Sequence, residues 1–213
     1  HGYEDLGTDV PKAPMNAIPR SDDHLRRRIR TSMQGMGFMQ IQSLTLSNDF
    51  DQFDRMRWKP FNAITRITNP ITQEHTMMRH FLLPGLMKLL SSNRHHDLPQ
   101  SVYELGTVVR DHTNMDRLAF LTAERIGGFA SIRGRIQAFL RDIGAENVVI
   151  EALPANEGPW LAGRAARVLL DGEWVGCFGE IDPTISESFE LLVPLNGAEF
   201  DVEALKSTIT DPV

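Results

Sequence analysis

The sequence predicts an α+β fold, a mostly antiparallel sheet flanked by about three helices. Three observations carry that reading. Two β-rich runs, 165–170 and 173–178, stand on either side of Asp171-Gly172, a dipeptide suited to a tight hairpin because both central positions take positive φ. Residues 101–110 (SVYELGTVVR) and 117–122 (RLAFLT) look like a second antiparallel pair, joined by a polar turn through 111–116. Apolar residues recur at helical spacing in three further stretches.

In chain order, residues 1–20 hold Gly2, Gly7, Pro11, Pro14 and Pro19 with few apolar side chains, and read as a linker from a preceding domain. Residues 21–213 read as one domain. Its first helix opens at Ser21, which can cap it, with Asp22 and Asp23 placing negative charge in the electropositive first turn. Leu25, Ile29, Met33 and Met36 form one stripe down that helix, and Gly35 and Gly37 end it. Residues 38–46 (FMQIQSLTL) read as a strand, followed by a polar stretch and a short strand at 63–67 that Asn69-Pro70 breaks. Pro84 suits the first turn of a second helix, with Leu86, Leu89 and Leu90 inward, giving way near Asn93. A third helix at 130–143 carries Ile132, Ile136, Phe139, Leu140 and Ile143, and Gly144 stops it. Strands at 147–153 and 198–202 and a short helix opened by Asp182-Pro183 complete the set.

Composition removes several function classes. The longest apolar stretch, 81–90, is about half what a bilayer crossing needs and is interrupted by Pro84, Gly85 and Lys88, so no membrane association is expected. Net charge is −6, from 28 acidic and 22 basic residues, whereas a domain that grips a phosphate backbone alone shows a basic excess. The one dense basic run is Arg26-Arg27-Arg28 with Arg30 close behind, which fits a solvated helix face, a partner contact or RNA. A single cysteine, Cys177, fits a reducing cytoplasm and reads as a buried, inert thiol because no activating base stands beside it. The chain opens on His1 rather than methionine, as a piece of a longer protein would. His95-His96-Asp97, with His75 and His80 upstream, lacks the convergent spacing of a zinc site and reads as a solvated loop. Glu104 and Glu180, set in apolar strands, are expected to be hydrogen-bonded structural carboxylates.

Four collinear strings go further. Met78-Arg79 followed by Pro84-Gly85-Leu86-Met87-Lys88, then 102–108 (VYELGTV), then Gly176-Cys177-Phe178-Gly179-Glu180-Ile181-Asp182-Pro183, then Glu199-Phe200-Asp201 resemble segments of phenylalanine–tRNA ligase beta subunits of the archaeal and eukaryotic type. The opening residues 1–6 are similar to the tail of the domain before them in that family. The resemblance implies the catalytic-like core of a class II aminoacyl-tRNA synthetase, an antiparallel sheet flanked by helices. It implies a domain without chemistry of its own, supporting a heterotetramer with the catalytic alpha subunit and a second beta subunit in the cytoplasm. Phenylalanine, ATP and magnesium would bind in alpha, tRNA would be held by the whole complex, and no cofactor or metal would bind in this domain.

Class II chemistry allows a residue-level check. The family's first motif, an interface helix running into a strand, matches the helix from Ser21 and the strand after Gly37, so Leu25, Ile29, Met33, Met36, Phe38 and Ile41 are candidate subunit-interface residues. Leu44 stands where the motif's proline is expected. The second motif supplies an arginine for the ATP α-phosphate, a fixed cation where charge builds up. Here Tyr103 and Glu104 mark the degenerate position, and Arg110 lies alone further along. The third motif needs clustered glycines and an arginine, whereas 196–203 (NGAEFDVE) has one glycine and three acids that would repel a polyphosphate. No catalytic residue is therefore expected. The alternative left standing is a stand-alone class II-like paralogue that binds an amino acid or adenylate.

Overall fold

A central sheet of seven strands, in the order β1-β4-β5-β9-β8-β7-β6, organises the chain in a computed structural model. The structure describes residues 2–5, 7, 23–154 and 157–209. The predicted Ser21 cap with Asp22, and most of the predicted linker, lie outside the described residues; Tyr3–Asp5 form a short 3-10 turn. The strands are β1 (Met39–Gln40), β4 (Gln100–Arg110), β5 (Thr113–Ala123), β6 (Val148–Ala152), β7 (Trp160–Leu170), β8 (Glu173–Ile181) and β9 (Leu195–Asp201). All neighbours run antiparallel except β1 beside β4. β2 (Leu46–Ser47) and β3 (Met77–Met78) form a separate two-stranded ribbon. Among the described residues five α-helices accompany them: α1 (Asp23–Gly35), α2 (Leu83–Ser92), α3 (Phe129–Asp142), α4 (Pro183–Ser188) and α5 (Val202–Thr208). The α+β reading holds.

Side-chain alternation divides the core into two layers. On one face Tyr103, Leu105, Leu118, Phe120, Ala198 and Phe200 meet α1, α3 and α5. On the other, Val102, Val108, Ala119 and Leu121 meet α2 and α4. The α1 stripe is committed to the first layer: Ile29 and Met33 are wholly buried and Leu25 nearly so, and Met36 packs on the cluster edge. Each such side chain contributes about 1.5–3 kcal/mol by leaving water. Polar pairs hold the same helix in place, through Ser32 Oγ donating to Asp142 at 2.9 Å and Arg26 pairing with Asp116.

Several expectations need correction. The strand expected over 38–46 is cut after Gln40, with one further ladder bond from Ile41 N–H to the Tyr103 carbonyl. Beyond it, Ser43 turns inward to donate to Glu104 at 2.6 Å and to accept from Arg79 at 2.9 Å, so side-chain bonds replace the ladder. Gly85 at the start of α2 permits this, since a Cβ there would come within 2.8 Å of Ser43 Oγ. The strand expected at 63–67 is a single bridge, Arg66 to Met77. The polar stretch before it contains an unforeseen wide helical turn, Phe50–Asp54, with Asp51, Gln52 and Phe53 buried. The turn expected over 111–116 tightens to Asp111-His112, both at positive φ, and pairing resumes at Thr113. The last strand begins earlier than expected, at Leu195, and runs into α5, where Asp201 accepts the Ala204 N–H as a cap.

The hairpin between β7 and β8 forms as expected, with Asp171 at φ 50° and Gly172 at φ 84°. An L side chain in that region costs about 1–2 kcal/mol. Gly172→Ala is therefore expected to lower the unfolding free energy by about 1 kcal/mol in urea titrations. An unchanged midpoint would mean that the turn does not hold the hairpin in register.

Candidate functional site

The sheet face under α2 carries the charged residues, and strand parity puts them there. Glu104, Gly106 and Arg110 on β4 share that face, as do Arg117 and Ala119 on β5, Glu199 on β9 and Cys177 on β8. Tyr103 points the other way. It is wholly buried in the α1 layer, its hydroxyl donating to Gln40 at 3.0 Å, and burial raises its pKa. The degenerate phosphate position expected at Tyr103 therefore does not open on this face; Glu104 does.

Glu104 is 1% exposed and pairs with Arg79 at 2.7 Å, which also donates from Nε to the Thr107 carbonyl. Arg117 is 2% exposed; it donates to Glu199 at 3.0 Å and to Asp201 at 3.2 Å. Glu199 also accepts the backbone N–H groups of Leu82 and Leu83, each at 3.1 Å, at the start of α2. The acids of 196–203 are thus not bare repelling charges, which corrects the sequence expectation for Glu199 and Asp201. The expected structural carboxylates hold as well, with Glu180 accepting the Phe129 N–H at 2.6 Å.

Arg110 differs from the other two arginines. It is 5% exposed, yet it donates from Nε and Nη2 to one carbonyl, that of His80, at 3.0 and 2.9 Å, and no carboxylate pairs with it among the described residues. Phe61 and Phe81 lie 4.7 Å from its guanidinium carbon. Burial and then the neighbouring Arg117 charge lower its pKa to about 10. A cavity of about 420 Å³ opens beside it, walled by Trp58, Phe81, Trp160 and Trp174. Trp58 stacks on Phe81 at 3.9 Å, and Cys177 lies at the floor with its thiol pushed up to about 12, chiefly by burial. The thiol is therefore protonated at neutral pH and no nucleophile. Sequence reading singled out Arg110 but not Arg117 or the aromatic wall. A signal was available, since 110 and 104 share strand parity and all three tryptophans of the chain meet here.

The candidate interface residues are placed unevenly. Leu25, Ile29, Met33 and Phe38 are inside the chain's own core, whereas Met36 and Ile41 are half-buried. Beside them Met39 on the edge strand β1 and Leu44 in the segment that follows it are each 68% exposed. His95 and His96 stack in an exposed loop, and among the described residues no group of three His, Cys, Asp or Glu side chains converges on a metal position. No helix is long and apolar enough to cross a membrane.

Residues 6–202 match the family model described as the phenylalanyl tRNA synthetase beta chain CLM domain. Among curated proteins, the phenylalanine–tRNA ligase beta subunit of Methanothrix thermoacetophila is 34% identical over 202 residues, covering 95% of this chain and 37% of that protein. That of Archaeoglobus fulgidus is 33% identical over 210 residues, covering 98% and 38%. The chain thus spans less than two-fifths of the length of these relatives. Among solved structures, a pyrrolysyl tRNA synthetase of Desulfitobacterium hafniense superposes with a TM-score of 0.69 at 15% identity, covering 89% of this chain and 72% of the other. That likeness gives the fold, a class II synthetase-like sheet with flanking helices.

Proposed function

From the premise that the chain belongs to the phenylalanyl-tRNA synthetase beta chain family, as its CLM domain, we propose that it is an assembly domain without chemistry of its own. One observation carries this reading. On the sheet face under α2, Arg79 and Arg117 are both committed to internal carboxylates, which leaves Arg110 as the one buried arginine there without a carboxylate partner among the described residues. Glu157 and Glu199 line the same cavity. A transferring phosphoryl group needs several cations aimed at its oxygens, and the buried arginines of this face leave one. The residues present do not fit ATP with magnesium.

The surface offered to a partner is the β1 edge, in a ligase that charges tRNA with phenylalanine in the cytoplasm. Met39 projects from it and Leu44 from the segment just after it, with Met36 and Ile41 at its base and Leu25, Ile29, Met33 and Phe38 backing it from the core. An open strand edge with exposed apolar side chains calls for a covering chain. The catalytic alpha subunit and a second beta subunit are the partners, with phenylalanine, ATP and magnesium bound in alpha. Co-expression with the alpha subunit tests this directly. The chain is expected to retain alpha on affinity purification, and Met39→Asp with Leu44→Asp is expected to reduce retention about tenfold, a loss of about 1.4 kcal/mol. The far-UV circular dichroism of the variant stays unchanged. Failure of the unsubstituted chain to retain alpha would sink the assembly reading, and undiminished retention by the variant would move the interface off β1.

A further inference from the structure

The cavity over β4, β5 and β8 has a use that the assembly role does not require. We propose that it is a binding site for a small aromatic carboxylate, with Arg110 receiving the carboxylate and the tryptophan wall receiving the ring.

The cation comes first. Arg110 is buried and lacks a carboxylate among the described residues, while Arg79 and Arg117 each have one. A guanidinium has five N–H donors. Two groups of Arg110, Nε and Nη2, share the His80 carbonyl, and Nη1 has no acceptor among the bonds of the described residues. Burying a charge is unfavourable unless it is paired and hydrogen-bonded. Phe61 and Phe81 offset part of that penalty through their ring faces, 4.7 Å away. A carboxylate at Nη1 would complete the set with short, charge-assisted bonds.

The walls choose the rest of the ligand. The Trp58–Phe81 stack, Trp160 and Trp174 present flat apolar surface around a volume suited to a molecule of one or two rings. Trp58 is fixed from behind by Gly158, where an added Cβ would lie 2.3 Å from the indole nitrogen, so the wall is pre-formed. Phe61 is 60% exposed and stands at the mouth, able to close over a ring. Charge sets the ligand's valence. Arg117 is neutralised by Glu199 and Asp201, which leaves Arg110 as the buried unpaired cation of the cavity and Lys59 at the exposed rim. With Glu157 also on the lining, a monoanion is matched and a di- or triphosphate is over-charged. The protonated Cys177 thiol makes the binding reversible rather than covalent.

All three tryptophans of the chain line this cavity, so the chain's indole fluorescence reports on it. Titrating the chain with 3-phenylpropionate is expected to give a saturable fluorescence change with a Kd of about 1 mM or tighter. The uncharged 3-phenylpropanol is expected to bind about tenfold more weakly, because it leaves Arg110 unpaired. Arg110→Gln is expected to abolish the difference between acid and alcohol. Should that variant not fold, Phe61→Ala carries the test, since its exposed ring can be removed without opening the core. It should weaken the acid about fivefold and leave the unliganded emission spectrum nearly unchanged. Absence of a saturable change, or equal affinity for acid and alcohol, overturns the proposal. Retention of the alpha subunit is a separate readout, so failure here leaves the assembly reading intact.

Discussion

Arg117→Met is expected to lower the unfolding free energy by about 3–5 kcal/mol, the range for breaking a buried ion pair by removing one partner. The arginine links β5 to β9 through Glu199 and Asp201, at 3.0 and 3.2 Å, in a site where Arg117 and Glu199 are 2% and 1% exposed. Without it, Glu199 keeps only the Leu82 and Leu83 N–H donors and remains a charge in a low-dielectric core. Methionine replaces the aliphatic stem, so the loss measures the charge and not a cavity. Equilibrium urea unfolding reads the effect as a shift in midpoint. Adding Glu199→Gln to the same variant should restore more than half of the loss, because glutamine still accepts from both N–H groups without a charge to strand. A single-variant loss below about 1 kcal/mol would mean that Glu199 is adequately satisfied by α2 alone.

Acid should weaken the chain through His80. The ring is wholly buried among Phe53, Phe61 and Phe81, and neither ring nitrogen has a hydrogen-bond partner among the described residues. Burial and then the nearby Arg110 cation lower its pKa from 6.5 to about 4, with Asp111 opposing. The sign follows from proton uptake. Between pH 6.5 and about 4 the unfolded chain protonates this histidine and the folded chain does not, so stability is full above 6.5 and falls as the pH drops towards 4. After allowance for screening by the adjoining cavity, the loss is roughly 2 kcal/mol. His80→Phe keeps the three backbone bonds, one from its N–H to Gln52 and two from Arg110 to its carbonyl. Urea midpoints measured at pH 7 and pH 4.5 should converge in that variant. An unchanged pH dependence would assign the acid sensitivity to carboxylates instead.

What is legible in the sequence divides by physical cause. Helices α1 and α3 were legible because each has three or more turns of periodic apolar residues, and α2 because Pro84 marks its first turn. The β7–β8 hairpin was legible because Asp171-Gly172 encodes its own turn. The ribbon of β2 and β3 was not, since two-residue strands are too short to show a period, and the turn at Phe50–Asp54 is held by contacts distant in sequence, such as Lys88 to Asp51. The cut after Gln40 depended on Arg79 and Glu104 drawing Ser43 inward, again a tertiary effect. At the site, alternation already separated Tyr103 from Arg110. Which face held the cavity could not be known until the helices were seen to cover the other one. The pairing of Arg117 with Glu199 joins residues 82 apart, and no local pattern reports it.

The place of β9 in the strand order bears on how the chain reaches its native state. Among the described residues β9 is the last strand in sequence, yet it sits in the middle of the sheet, between β5 and β8. Before it docks, the chain consists of two separate antiparallel units, β4–β5 and β6–β7–β8, each presenting a bare central edge. Such edges invite pairing with other copies. Closure must wait for a segment emerging more than seventy residues after β5, so the slow, aggregation-prone interval of folding is the one that precedes Leu195–Asp201. Production yield should depend on that seven-residue segment more steeply than on any other of its length.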